Sequence, residues 1–247
     1  MMQIVVPMAG HGSRFAKAGY ALPKPLIEVH GQPMIAGVVR NIRPAQPHRF
    51  IFLCLQEHLQ RYNLQARLEE IAPGCAVVPV AQVTQGAACT VLLARELINN
   101  SQPLMIANSD QYVEVDINQY LAAMDGYDGI IMTMSASDPK WSFVKLDQDG
   151  VVLELREKEV ISSEATVGIY NYRRGADFVY YAEQMIAKNI RVNHEFYVAP
   201  VYNEMIAAGK RITCYNVGKE NQGMYGLGIP EDLERFLKNP LSHKAYA

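Results

Sequence analysis

The run Pro7-Met8-Ala9-Gly10-His11-Gly12-Ser13-Arg14 follows a short apolar stretch near the amino terminus. Two glycines let the backbone come close to a ligand, and consecutive N–H groups there can form an anion-binding nest. A Gly-x-Gly alone also fits an ordinary strand-to-helix turn. What adds chemistry is the pair of cations around it. Arg14 offers a planar fork of donors, and Pro23-Lys24-Pro25-Leu26 presents a point charge held between two prolines. Together they suit a clamp for a triphosphate.

Rival phosphate motifs do not fit. A Walker loop needs Gly-Lys-Ser/Thr, and neither Gly209-Lys210-Arg211 nor Gly218-Lys219-Glu220 supplies it. A dinucleotide fingerprint and a kinase-type glycine loop both need a third glycine, where this chain has Phe15. Asn108-Ser109-Asp110 follows a buried apolar run, where a lone Asp is either a Mg²⁺ anchor or a turn residue. Glu157-Lys158 reads on its own as a solvated charge pair at a strand end. Trp141 and Tyr170 read as core or as pocket wall, and Asn193-His194-Glu195-Phe196-Tyr197 as the start of a helix. The cysteines, Cys54, Cys75, Cys89 and Cys214, form no Cys-x-x-Cys pair and read as reduced thiols, not zinc ligands.

These residues need a frame. Ile4 to Val6, Arg49 to Leu55, Ala76 to Val80 and Leu104 to Ala107 have the length and composition of buried strands. Helical patterns lie between them at Met34 to Arg43, Glu57 to Ile71 and Ala87 to Ile98. That alternation predicts a parallel sheet covered on both faces, with ligand loops at the strands' carboxyl ends. After Asp125 the pattern turns β-rich, with strands at Gly129 to Ser135, Phe143 to Leu146, Val151 to Leu155 and Val167 to Tyr172. Asp147-Gln148-Asp149-Gly150 marks a hairpin between two of them. Helices are expected at Gly175 to Lys188 and Glu195 to Ala208, a strand at Arg211 to Val217, and a last helix opened by Pro230-Glu231-Asp232.

Composition narrows the partners. With 49% hydrophobic and 19% charged residues, the 247-residue chain has the makings of a globular core, which excludes intrinsic disorder. Lys+Arg of 23 against Asp+Glu of 25 gives no global field for nucleic acid or an anionic membrane. No signal peptide or membrane span is read, so a cytoplasmic protein is expected. Whether it forms a homo-oligomer stays open at this level.

The chain resembles the sugar-phosphate nucleotidyltransferase family. The resemblance rests on Met8-Ala9-Gly10-His11-Gly12-Ser13-Arg14 with Pro23-Lys24-Pro25-Leu26, and extends through Asn108-Ser109-Asp110, Arg156-Glu157-Lys158, Val167-Gly168-Ile169-Tyr170 and Gly228-Ile229-Pro230-Glu231-Asp232. Gly19-Tyr20 and the compact length look most like short bacterial capsule-pathway members, some of them cytidylyltransferases acting on non-sugar phosphates. The fold so implied is a single Rossmann-like, GT-A-type α/β domain over 1–247. It has three layers, a predominantly parallel mixed sheet, a nucleotide-binding half (1–125) and a β-rich acceptor-binding half (126–247).

By the same resemblance Ala9, Gly10, Gly12, Ser13 and Asn108 surround the nucleotide, Arg14 and Lys24 are catalytic cations, and Gln82 and Gly86 read the base. Asp110 holds Mg²⁺, while Glu157, Lys158, Gly168 and Glu195 face the acceptor, with His194 a further candidate. One departure concerns the metal. The family's second acidic ligand falls on Gly226 here, and its usual Thr on Ile229. The implied reaction is attack by an acceptor phosphate on the α-phosphorus of a nucleoside triphosphate, CTP before UTP or dTTP, with loss of pyrophosphate. The acceptor is already anionic, so no strong general base is required. The alternatives are a GT-A glycosyltransferase and a non-catalytic nucleotide-sugar regulator.

Overall fold

The computed structural model describes all of Met1–Ala247. Its strands are β1 (Met2–Met8), β2 (Glu28–Val29), β3 (Gln32–Pro33), β4 (His48–Leu55), β5 (Ala76–Val80), β6 (Leu104–Ala107) and β7 (Gln111–Val113). There follow β8 (Gly129–Ser135), β9 (Ser142–Leu146), β10 (Val152–Glu157), β11 (Glu164–Tyr172), β12 (Ile212–Glu220) and β13 (Gly223–Gly226). One sheet of 11 strands runs β5-β4-β1-β6-β11-β8-β12-β13-β7, with β9 and β10 attached through β11. β5, β4, β1 and β6 are parallel, as the first half's pattern predicts. β11 runs antiparallel to β6 and β8, and β12 returns parallel to β8.

Side-chain alternation sorts the sheet's two faces into two cores. Val5, Ile51, Leu53, Leu104 and Ile106 pack with the helices Gly175–Ala187 and Val201–Ala207 on one face. Ile4, Val6, Phe50, Phe52 and Met105 pack with the helices Met34–Ile42 and Leu64–Ile71 on the other. The result is three layers. No helix is long and apolar enough to cross a membrane.

A third core fixes the site's position. Phe15, on the short helix Ser13–Lys17, packs with Ile27 and Met34 against Tyr225, Leu233 and Phe236. Leu233 and Phe236 belong to the helix Pro230–Leu237, which carries Pro at its first turn and Glu231 and Asp232 beside it, as expected. Tyr246, beyond the helix Leu241–Ala245, donates its hydroxyl to the Met34 carbonyl at 2.9 Å. The glycine-loop helix is thereby tied to the carboxyl-terminal helices.

Three helix expectations are corrected. The stretch Glu57 to Ile71 breaks at Asn63 (φ 49°), giving Gln56–Tyr62 and Leu64–Ile71. Ala87 to Ile98 divides into Ala87–Leu92 and Arg95–Ile98. The helix expected from Glu195 begins only at Val201, after Pro200 at its N-cap. Asn193 (φ 48°) and His194 (φ 66°) are left-handed, making a two-residue turn that Glu195 closes by an antiparallel bridge to Val192; Pro200 disfavours helix at Ala199 before it.

Candidate active site

The glycine loop leaves the carboxyl end of β1. Gly12 adopts φ 60° as the N-cap of Ser13–Lys17, a conformation that suits glycine, and its turn leaves Ser13 and Arg14 exposed. Ala9 is buried behind the loop, and Gly10 is exposed. Pro23 is extended and starts the tight 3₁₀ turn Lys24–Leu26. From there the Lys24 Nζ donates to Asp110 Oδ2 at 2.7 Å, the two side chains being about a quarter exposed.

Arg14, Lys24, Asn108, Asp110 and Lys158 line one cleft of about 960 Å³. Lys17, Lys140 and Asp232 line it too. Beside it lies a smaller cavity of about 260 Å³, lined by Asn108, Trp141, Ser142, Glu157, Gly168 and Tyr197 among others. Asn108 borders both, held by its N–H to the Gly168 carbonyl at 3.0 Å. Gly168 sits at φ 82°, and a Cβ there would overlap Asn108 Nδ2. Glycine is required at that point by both conformation and space.

Polar groups in the smaller cavity are linked. The Ser142 hydroxyl makes a short hydrogen bond to the Glu157 carboxylate, and Thr166 and Tyr170 share one of 3.0 Å. Burial pushes the Glu157 carboxyl up from its ordinary range, partly offset by Ser142 and Lys158. Lys158 occupies a left-handed conformation (φ 57°), with its N–H donated to the Trp141 carbonyl at 3.0 Å. Its Nζ donates to the Tyr197 hydroxyl at 3.0 Å, which raises its pKa, and lies 5.2 Å from that ring's centre. The exposed pair expected from Glu157-Lys158 holds for Lys158, which is exposed at the cleft, and is corrected for Glu157, whose carboxylate turns inward to Ser142.

Gln82 is exposed after β5, and Gly86 (φ 128°) caps Ala87–Leu92 against the backbone of Phe196. Neither lines the two cavities, and neither does Glu195, whose charge nonetheless reaches Glu157 and Lys158. Lys17 and Lys140 carry no motif. Only the fold brings them to the cleft.

The residues fit a Mg²⁺ ion that takes most of its ligands from phosphate and water. Asp110 presents its carboxylate beside Gly228, where a Cβ would come within 2.6 Å of Oδ2. At Gly226 a Cβ would stand 3.4 Å from Asp232 Oδ2, so the Asp232 carboxylate borders the space that the missing acidic side chain would enter. No three His, Cys, Asp or Glu side chains converge as a protein-only cage, and Mg²⁺ characteristically needs only one or two carboxylates beside a phosphate ligand.

A cleft lined by Arg14, Lys17, Lys24 and Lys158 at the carboxyl edge of a parallel sheet thus adjoins a smaller cavity, and the two share Asn108, Lys140 and Trp141. Among solved structures, the chain is similar to a nucleoside-diphosphate-sugar pyrophosphorylase from Vibrio cholerae RC9, with a TM-score of 0.80 and 24% identity over 96% of this chain and 100% of that one. It also resembles a UDP-glucose pyrophosphorylase complexed with UDP-glucose, with a TM-score of 0.75 and 19% identity over 100% and 98%. The profile of the nucleotidyl transferase family matches residues 4–221, and the chain belongs to that family.

Among curated relatives, it is 23% identical to the mannose-1-phosphate guanylyltransferase catalytic subunit beta of Drosophila pseudoobscura pseudoobscura, over 67% of this chain and 46% of that protein. It is 28% identical to the bifunctional protein GlmU of Cupriavidus metallidurans, over 66% of this chain and 35% of that protein. The chain thus spans about half the length of the first and about a third of the second.

Proposed function

We propose that the protein transfers a nucleoside monophosphate from a nucleoside triphosphate to a phosphorylated acceptor, a sugar 1-phosphate or a capsule-precursor phosphate, releasing pyrophosphate. The observation that carries this reading is the pair of adjoining cavities, one lined by Arg14 and Lys24 and both bordered by Asn108. Family membership and the pyrophosphorylase fold support it. The base placed first is CTP, on the resemblance to short capsule-pathway proteins, with UTP and dTTP behind it.

In the reaction an oxygen of the acceptor phosphate forms a bond to the α-phosphorus. The bond from that phosphorus to the α–β bridging oxygen breaks, and the electron pair leaves with pyrophosphate. No proton has to move. The protein's work is to align two anions and offset the charge that grows between them. Arg14 and Lys24 hold the departing phosphates. Lys24 has three N–H donors, so it can keep Asp110 and still reach a phosphate oxygen. Lys158 holds the acceptor phosphate, and Glu157 receives donors from the rest of the acceptor. Asp110 would hold Mg²⁺, with Asp232 next to it; when bound, the ion neutralises non-bridging phosphate oxygens.

A panel of CTP, UTP, dTTP, ATP and GTP against glucose 1-phosphate, mannose 1-phosphate, N-acetylglucosamine 1-phosphate and phosphocholine tests the reading. Pyrophosphate release that requires both partners is the expected result. Release from no pair, or release of a free nucleoside diphosphate from a nucleotide-sugar, would overturn it.

A further inference from the structure

The two cavities share three lining residues: Asn108, Lys140 and Trp141. The α-phosphorus and the acceptor phosphate must meet where the cavities join, and both carry negative charge. Of the side chains at that seam, Lys140 is the cation. We propose that Lys140 is a further catalytic residue, its ammonium contacting the phosphate oxygens that come together there, with Glu220 as its positioning residue. This rests on the nucleotidyl-transfer reading above.

The surroundings of Lys140 set its ammonium in place from three sides. Its Nζ lies 2.8 Å from Glu220 Oε1, 3.7 Å from Asp138 Oδ2 and 4.9 Å from the centre of the Trp141 ring. Burial alone would lower its pKa, but the Glu220 hydrogen bond and the neighbouring carboxylates raise it, so the group stays charged. Lys140 is not needed to shape its own loop. The backbone there is held by Lys140 N–H to Asp138 Oδ1 at 2.9 Å, and by Lys158 N–H to the Trp141 carbonyl. Its side chain is 47% exposed, and an ion pair in that setting contributes little to stability, so holding the fold together does not account for the arrangement.

The chemistry at the seam also calls for one more cation. Lys24 is already bonded to Asp110, and Lys158 leans on the neutral hydroxyl of Tyr197. Neither borders both cavities. An ammonium carries three donors, so Lys140 can retain Glu220 while another N–H turns to a phosphate oxygen. Lys140 makes no covalent bond and gives up no proton. It offsets repulsion between the two phosphates, and in the product it lies against the diphosphate bridge.

The test is calorimetric binding of three two-part probes, CDP-glucose, UDP-glucose and GDP-mannose, and of the matching nucleoside monophosphates. Lys140→Met should weaken the best-bound nucleotide-sugar by about tenfold or more while leaving its monophosphate within about twofold. Lys140→Arg should recover most of the loss, and thermal unfolding of both variants should match wild type. Glu220→Gln should raise KM for the acceptor and lower kcat, with a smaller rise in KM for the triphosphate, whose other phosphates are held by Arg14 and Lys24. Unaltered nucleotide-sugar binding in Lys140→Met, or equal weakening of sugar nucleotide and monophosphate, overturns the proposal. Binding through Lys140 without pyrophosphate release from any triphosphate keeps this contact and overturns the transfer reading. A wild-type protein that binds none of the three probes overturns both.

Discussion

The two halves of the sheet place charge in different ways. In the first half, parallel strands β4, β1 and β6 end at one edge, so the loops after β1 and β6 bring Arg14 and Asp110 together by topology alone. In the second half the groups come from antiparallel strands and a turn, and one sits in costly backbone. Among them Lys158 is left-handed, a conformation that costs about 1–3 kcal/mol for such a residue. The phosphate side therefore depends on charge held by ordinary geometry, whereas the acceptor side stores strain to aim Lys158. Substitutions on the first side should remove rate and leave the fold intact. On the second they should trade stability against binding.

The largest effect is expected at the loop. Arg14→Ala and Lys24→Ala should fold normally and lose about 3–4 kcal/mol of transition-state stabilisation, roughly 10²–10³ in turnover. Near wild-type turnover in both would break the contrast between the halves. Next comes Gly168→Ala, where positive φ and the overlap with Asn108 should cost about 2–3 kcal/mol in chemical denaturation, with acceptor binding impaired as well.

Lys158 sharpens the comparison. Lys158→Ala should weaken the phosphorylated acceptor about tenfold, near 1.4 kcal/mol, and leave triphosphate binding alone. Lys158→Gly should bind the acceptor as poorly but be about 1 kcal/mol more stable than Lys158→Ala, since glycine tolerates the left-handed backbone. Equal stability of the two variants would show that no strain is stored there.

The smallest effect is set by pH. Glu157 has a folded pKa raised by burial, so the folded state holds its proton more tightly than the unfolded chain. Its contribution to stability is complete below the ordinary carboxyl range and falls as pH rises toward the raised folded value. Glu157→Gln should therefore unfold at a higher temperature than wild type at pH 7, with the advantage shrinking toward pH 4. Acceptor binding should weaken at the same time. A Glu157→Gln protein less stable than wild type at pH 7 would contradict the burial argument.

Legibility in the sequence followed the same division. The strands Ala76–Val80, Leu104–Ala107 and Gly129–Ser135 are readable to the residue, because each is a short run rich in apolar or β-branched residues with clear ends. Arg14, Lys24 and Asp110 stand out in the sequence because contiguous motifs carry them, and the fold brings all three to one cleft. The turn around Glu195 was not legible, since left-handed Asn193 and His194 leave no trace in hydrophobic periodicity. Lys140 was also beyond reach. Its place at the seam arises from the loop between β8 and β9 meeting the end of β12 through Glu220, a contact between residues 80 positions apart. The Ser142 bond to Glu157, which sets the smaller cavity's polarity, likewise depends on the register of β9 against β10.

The most direct measurement of the central claim follows the label in the triphosphate. With the active pair from the panel, α-³²P-labelled triphosphate should pass its label into a nucleotide-linked product. γ-³²P-labelled triphosphate should pass its label only into pyrophosphate, in equal amount and only when the phosphorylated acceptor is present. Transfer of the γ label to the acceptor, or retention of the α label in free nucleotide, would contradict the account.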